Sequence, residues 1–124
     1  GYRLLAAASP TPVAAGETCA TEAEFLRMLD EGHLDWVQPD PARCGISTML
    51  AVGRAAVSRH KRVCNHTFKS GLTLAASLHV MAALPGVDVV EFCMADSPLR
   101  HDLTRERFEV SDGYVSVSDA PGLG

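Results

Sequence analysis

A polar, ionisable side chain stands at the carboxyl end of each of four short apolar segments of this chain. These residues are Glu17, Asp40, His66 and Glu91, and they recur at intervals of 23, 26 and 25 residues. Such an interval accommodates one strand, one helix and their connecting loops, which is the length of one βα unit. Because the carboxyl ends of parallel strands open on the same face, where such folds bind their ligands, the spacing predicts that the four side chains converge on one site.

Short strands and longer helices alternate along the first part of the chain. We predict four strands, at Pro12–Gly16, Leu34–Gln38, Val63–Asn65 and Val87–Phe92. The last of these is β-branched and continuous, as in a strand that is covered on both faces. The resulting order β-α-β-α-β-α-β favours an α/β fold with four parallel strands and helical crossovers.

The predicted helices carry distinct local signals. Thr21 and Glu24 form a capping box that begins the first of them. Apolar residues between Ile46 and Val57 recur on one helical face, which predicts a long amphipathic helix. Residues Ser70–Leu84 are apolar nearly all round, so we expect this third helix to be largely buried.

The alternation of short strands and longer helices ends after residue 94. Residues Phe108–Val117 predict a hairpin that turns at Asp112-Gly113, and Pro121–Gly124 form a turn-rich tail. We therefore divide the chain into a parallel α/β part at residues 1–94 and a C-terminal segment at residues 95–124.

Composition narrows the range of partners. Eleven basic and fifteen acidic residues give a net charge of −4, so the basic face that binds nucleic acid is not expected. No apolar run approaches the roughly 20 residues that span a bilayer, and no signal peptide opens the sequence. The four cysteines have no Cys-x-x-Cys spacing, which is consistent with free thiols in a reducing compartment. We expect a cytoplasmic protein that binds neither nucleic acid nor membranes.

Four ordered segments resemble the later barrel strands of the enolase superfamily, in its mandelate racemase/muconate lactonizing enzyme branch, which is rich in acid-sugar dehydratases. They are Val13–Glu17, Val37–Ile46, Asn65–Phe68 and Val89–Phe92. The C-terminal hairpin and tail also resemble the segment with which this family leaves the barrel and returns to a capping domain. The resemblance covers nearly the whole chain, and its series of motifs is more specific than any one of them.

The resemblance implies a role for each of the four polar residues. Glu17 would be a carboxylate ligand of an essential Mg²⁺ ion. Asp40 and His66 would form a hydrogen-bonded catalytic pair in which the carboxylate orients the imidazole. Glu91 would hydrogen-bond the carboxylate of the substrate. The implied chemistry is abstraction of the proton next to a carboxylate, most specifically dehydration of a sugar acid to a 2-keto-3-deoxy acid.

The resemblance also implies that this chain is the C-terminal half of a (β/α)-barrel. A complete barrel takes about 250 residues. The strands that bear the catalytic lysine and the other metal carboxylates of the family are absent from the sequence. We therefore expect the 124 residues alone to be inactive, and the full-length enzyme to be a homo-oligomer with a small carboxylate substrate.

Other interpretations stay open at this point. Racemases, epimerases and cycloisomerases of the superfamily would use the same residues. A non-catalytic, open α/β domain would also bind its ligand at the carboxyl ends of the strands. Each polar residue also has a structural interpretation: Asp40 precedes Pro41 in a turn, and Glu17 lies near the next helix. Lys69 lies close to the expected site, but we favour a solvated lysine at the start of a helix.

Overall fold

A three-stranded parallel sheet lies at the centre of the fold. The computed structural model of the chain describes residues 1–124. The first part contains three strands and four helices: α1 (Tyr2–Ala8), β1 (Ala14–Ala15), α2 (Glu22–Glu31), β2 (Trp36–Val37), α3 (Pro41–Ser58), β3 (Arg62–Val63) and α4 (Gly71–Ala82). The second part contains α5 (Pro98–His101), β4 (Val110–Ser111) and β5 (Tyr114–Val115).

The sheet has the order β1-β2-β3 with β2 in the middle. Ala15 is paired with Val37, and Val37 with Val63, in parallel register. Each strand is followed by a helix before the next strand begins, so the parallel α/β arrangement with helical crossovers is confirmed. None of the helices has the combination of length and apolarity that a membrane crossing requires.

The prediction of a fourth strand at Val87–Phe92 is wrong. This segment does not form the backbone hydrogen bonds with β3 that would make it a strand of the sheet. Arg62 contacts Asp88 and Asn65 contacts Glu91, so the segment runs alongside β3 in the same direction at an offset of 26 residues. The side-chain amide of Asn65 takes the place of the missing backbone hydrogen bonds. It donates to the Glu91 carbonyl at 3.1 Å and accepts from the Glu91 backbone N–H at 2.8 Å.

The helices begin largely where their local signals predict. The capping box of Thr21 and Glu24 is present at the start of α2. Asp40 caps α3, and Pro41 occupies its first turn, where a missing N–H costs nothing. Gly45 (φ +79°, ψ 163°) interrupts α3, so the regular part of this helix begins only after it. Ile46 directly after the break is 48% exposed, although periodicity places it on the buried face.

The core lies between the sheet and the three longer helices. α4 buries eight of its twelve residues, as its nearly uniform apolarity predicts. The main cluster has 11 members: Cys19, Phe25, Leu29, Val37, Met49, Val52, Ala56, Val63, Val80, Met81 and Leu84. A Cβ atom at Gly53 would come within 2.3 Å of the Leu84 side chain, so α3 packs closely against the residues that follow α4.

The C-terminal segment contains the predicted hairpin. β4 and β5 are antiparallel, and Asp112 and Gly113 both have positive φ angles of 53° and 82°. Two successive positive φ angles define the tight turn that matches the twist of a hairpin, and Asp-Gly is among its preferred pairs. The hairpin prediction is confirmed.

Candidate active site

Three of the four predicted residues lie at the same edge of the sheet. Glu17, Asp40 and His66 follow the carboxyl ends of β1, β2 and β3 by two or three residues. Glu91 lies in the segment beside β3. The backbone N–H of His66 donates to the Pro39 carbonyl at 3.0 Å, which continues the β2–β3 pairing into the loops. That hydrogen bond brings the loop that carries Asp40 against the loop that carries His66.

Asp40 is a buried carboxylate with a hydrogen bond at each oxygen. Its side chain has no exposed area. Oδ1 accepts from the Ala42 backbone N–H at 2.8 Å, which caps α3. Oδ2 lies 3.2 Å from His66 Nδ1 and accepts from Lys69 Nζ at 3.0 Å. Burial raises the pKa of this carboxyl, but the hydrogen bonds from Lys69, the Ala42 backbone and His66 outweigh burial and hold the pKa below its usual range.

His66 contacts Asp40 through Nδ1, and the spacing of the strands predicts this contact. Its side chain is 25% exposed, and its ring packs against Phe68 with 5.1 Å between ring centroids. When Nδ1–H donates to the carboxylate, Nε2 is the nitrogen that takes up or releases a proton. A carboxylate that orients an imidazole in this way is a recurrent arrangement for proton transfer.

Lys69 is a member of this cluster that the sequence interpretation assigned to solvent. Its ammonium group contacts the same oxygen of Asp40 that faces His66, although about half of its side chain (47%) stays exposed. Lys69 is exposed just before α4, as expected, but the expectation of a solvated lysine did not include the ion pair of its ammonium group with Asp40. No local pattern shows that a lysine before α4 turns back towards β2, but a buried carboxylate requires a cationic partner, and this requirement could have pointed to Lys69.

Glu91 is held by the residues that flank His66. Its Oε2 accepts from the Thr67 backbone N–H at 3.2 Å, and its own backbone is paired with the Asn65 amide. Asn65 has no exposed area and uses both ends of its amide group in this contact. Glu91 therefore contacts the two residues on either side of His66, but not His66 or Asp40 themselves. Asn65 is a second residue whose role the sequence interpretation did not include.

Glu17 stands apart from the other three residues. Gly16 precedes it with φ +128°, and a side chain there would lie 3.2 Å from the Gln38 backbone nitrogen, so glycine allows β1 to end close against β2. The carboxylate of Glu17 accepts from the Gly16 N–H at 3.1 Å and forms no hydrogen bond or ion pair with Asp40, His66 or Glu91. A carboxylate oxygen is a suitable ligand for Mg²⁺. No three side chains of this chain, however, are grouped as a metal site. Glu17 is chemically suited to bind a cation, but it is not grouped with other ligands in this chain.

The chain belongs to the family described as enolase C-terminal domain-like, whose model matches residues 1–124. It is 33% identical to D-galactarolactone cycloisomerase of Agrobacterium fabrum over 99% of the chain and 35% of that protein. It is 33% identical to arabinonate dehydratase of Saccharolobus solfataricus over 91% of the chain and 30% of that protein. A crystal structure of an enolase superfamily member from Polaromonas sp. JS666 superimposes with a TM-score of 0.90 and 37% identity, over 99% of this chain and 33% of that one.

These comparisons confirm the resemblance to the enolase superfamily. The three parallel strands with their helices are therefore part of a (β/α)-barrel, and the chain spans about a third of the length of the relatives that it matches.

Proposed function

We propose that this chain is the C-terminal part of a Mg²⁺-dependent enzyme that abstracts the proton next to a carboxylate, and that its specific reaction is the dehydration of a sugar acid to a 2-keto-3-deoxy acid. The observation that carries the proposal is the contact between the buried Asp40 and His66 across the carboxyl ends of β2 and β3. In this proposal residues 1–94 contribute to the barrel, and residues 95–124 return towards a capping domain outside the chain.

His66 is the residue that handles protons in this reaction. Its Nε2 either takes the proton from the carbon next to the substrate carboxylate or protonates the departing β-hydroxyl, depending on the stereochemistry of the substrate. The proton and the hydroxyl together leave as water. Asp40 holds the ring in the orientation that leaves Nε2 free, since its Oδ2 lies against Nδ1.

The two glutamates have binding roles in this proposal. Glu91 hydrogen-bonds the substrate carboxylate, and its position is set by Thr67 and Asn65. Glu17 is one of the residues that would hold Mg²⁺, together with ligands from the rest of the enzyme. When bound, the cation stabilises the negative charge that develops on the substrate as its proton is removed.

The comparisons also support a second reaction of the same class. One relative is named as a cycloisomerase and another as a dehydratase, and both are similar to this chain over nearly its whole length. Both reactions, and racemisation or epimerisation, begin with removal of a proton next to a carboxylate. They differ in the fate of the intermediate, so the same residues of this chain serve each of them.

An assay of the full-length enzyme distinguishes these reactions. The enzyme is incubated with Mg²⁺ and a panel of aldonic acids, aldaric acids and their lactones in D₂O, and the products are followed by NMR. We expect a 2-keto-3-deoxy acid from at least one aldonic or aldaric acid. Loss of a lactone without a keto acid would favour the cycloisomerase, and deuterium exchange alone would favour a racemase or epimerase. No reaction with any compound, from a monomeric protein, would favour the non-catalytic ligand-binding domain.

A further inference from the structure

We propose that Lys69 is a positioning residue for the Asp40–His66 pair: its ammonium group holds Oδ2 of the buried Asp40 carboxylate and fixes the place at which that oxygen meets the imidazole. The proposal concerns the same site as the proposed function and rests on it for its kinetic consequence. Its structural part concerns only contacts within this chain.

The geometry of the carboxylate supports this role. Three donors from three parts of the chain contact Asp40: the Ala42 N–H in α3, His66 Nδ1 after β3, and Lys69 Nζ just before α4. The Ala42 contact fixes Oδ1 alone. Oδ2 is shared between His66 at 3.2 Å and Lys69 at 3.0 Å, so the ammonium group limits rotation of the carboxylate away from the ring.

Charge provides a second, independent argument. A carboxylate without exposed area needs a positive partner to stay ionised, because burial alone favours its neutral form. His66 supplies that charge only while it is protonated, and a residue that transfers protons changes its charge during the reaction. The ammonium group of Lys69 is not the group that transfers the proton, and its contact with Oδ2 does not depend on the charge of the imidazole. It therefore keeps Asp40 ionised while the imidazole is neutral.

The chain contains a matched control for Lys69. Lys61 is the only other lysine, it lies at the opposite end of β3, and it forms no ion pair with any residue of the chain. Replacing either lysine by methionine removes one positive charge and keeps most of the aliphatic stem. Only the change at position 69 removes a contact to Asp40.

The first arm of the test does not depend on activity. The melting temperatures of the full-length wild type, Lys69→Met, Lys69→Arg and Lys61→Met are measured from pH 7 down to pH 2. The pKa of Asp40 is lowered in the folded state, so the Lys69–Asp40 pair stabilises the fold at neutral pH and is lost as the pH falls through that pKa. Cys44, which also lies against Asp40, stays a neutral thiol in this range because burial raises its pKa.

We expect Lys69→Met to melt several degrees below the wild type at pH 7 and to approach the wild type at low pH. Lys69→Arg, which keeps the charge, should recover most of the loss, and Lys61→Met should show no such pH dependence. A Lys69→Met variant that melts with the wild type at pH 7 would overturn the proposal. If that variant does not fold, Lys69→Gln, which is neutral but keeps a hydrogen-bond donor, decides by the same measurement.

The second arm measures kcat and KM on a sugar acid that the wild type turns over. We expect Lys69→Met to lower kcat by roughly 10- to 100-fold while KM changes by less than about threefold, because a positioning residue acts on the transferring group. Lys69→Arg should restore kcat to within about fivefold. A raised KM with unchanged kcat would overturn the proposal and assign Lys69 to substrate binding. If the wild type turns over none of the acids, the proposed function fails, while the melting data still decide the structural role of Lys69.

Discussion

Asp40 and Glu17 lie at the carboxyl ends of neighbouring strands, yet their surroundings differ. Asp40 is fully buried and is contacted by donors from the Ala42 backbone, His66 and Lys69. Glu17 is partly exposed, and its carboxylate contacts only the backbone of the residue before it. The proposed Asp40–His66 pair is therefore assembled within this chain, whereas no group of side chains that could hold a metal is. The comparison indicates how the site would be divided between this chain and the rest of the enzyme.

The largest effect should come from testing the chain by itself. We expect residues 1–124 alone to show no turnover of aldonic or aldaric acids with Mg²⁺, because one carboxylate cannot supply the several oxygen ligands that this cation takes. The measurement is an assay for 2-keto-3-deoxy acids beside the full-length enzyme at equal concentration. Steady formation of such a product by the isolated chain would show that the metal site is not divided in this way.

The metal side of the comparison is tested by Glu17→Gln in the full-length enzyme. This variant keeps the shape of the side chain and removes its charge, so we expect Mg²⁺ affinity to fall by roughly 100-fold or more and turnover to fall below detection. Calorimetric titration with Mg²⁺ measures the first effect. Glu31→Gln, which changes an exposed carboxylate at the end of α2, is the matched control and should bind Mg²⁺ normally. Normal affinity in Glu17→Gln would leave Glu17 as an ordinary residue at the end of a strand.

The proton-transfer side is tested by Asp40→Asn. Asparagine can still cap α3 through Oδ1, so the helix should be retained, but the group that orients His66 and pairs with Lys69 loses its charge. We expect kcat to fall by roughly 10²- to 10⁴-fold. The same titration should show that Mg²⁺ affinity is unchanged, in contrast to Glu17→Gln. A parallel loss of Mg²⁺ affinity in both variants would remove the distinction between the two carboxylates.

A smaller effect is expected from Asn65→Ala, which removes the two hydrogen bonds between the Asn65 amide and the Glu91 backbone. Two backbone groups of Glu91 would lose their partners, at a cost of about 1–3 kcal/mol in the free energy of unfolding. Because Glu91 is proposed to bind the substrate carboxylate, KM should rise by about tenfold while kcat changes less. Denaturant titration and steady-state kinetics check the two effects. An unchanged KM beside lowered stability would restrict Asn65 to a structural role.

Much of the fold is encoded in local patterns of the sequence. The capping box at Thr21 begins α2, the apolar residues of α4 are buried, and Asp112-Gly113 forms the predicted turn. The contact between Asp40 and His66 also follows from the sequence, because regular strand spacing brings them to the same end of adjacent parallel strands. These features depend on nearby residues or on the repeat of the βα unit.

The features that the sequence did not reveal depend on side chains that act across the fold. The segment at residues 87–92 has the composition of a strand, but the amide of Asn65 occupies the backbone groups of Glu91. Gly45 breaks α3 although the apolar period continues around it. Lys69 turns towards a carboxylate 29 residues away. Contacts such as Asn65–Glu91 and Lys69–Asp40 join residues far apart in the chain, so a pattern of neighbouring residues does not predict them.

In the proposed reaction His66, held by Asp40, transfers a proton of a carboxylate substrate. The most direct measurement is the rate of 2-keto-3-deoxy acid formation by the full-length enzyme and its His66→Asn variant, with Mg²⁺ at saturation and the fold checked by circular dichroism. Asparagine can still donate a hydrogen bond but cannot transfer a proton at neutral pH. We expect dehydration to fall by roughly 10³-fold or more while Mg²⁺ affinity stays normal. Near-normal dehydration by His66→Asn would show that His66 does not transfer the proton.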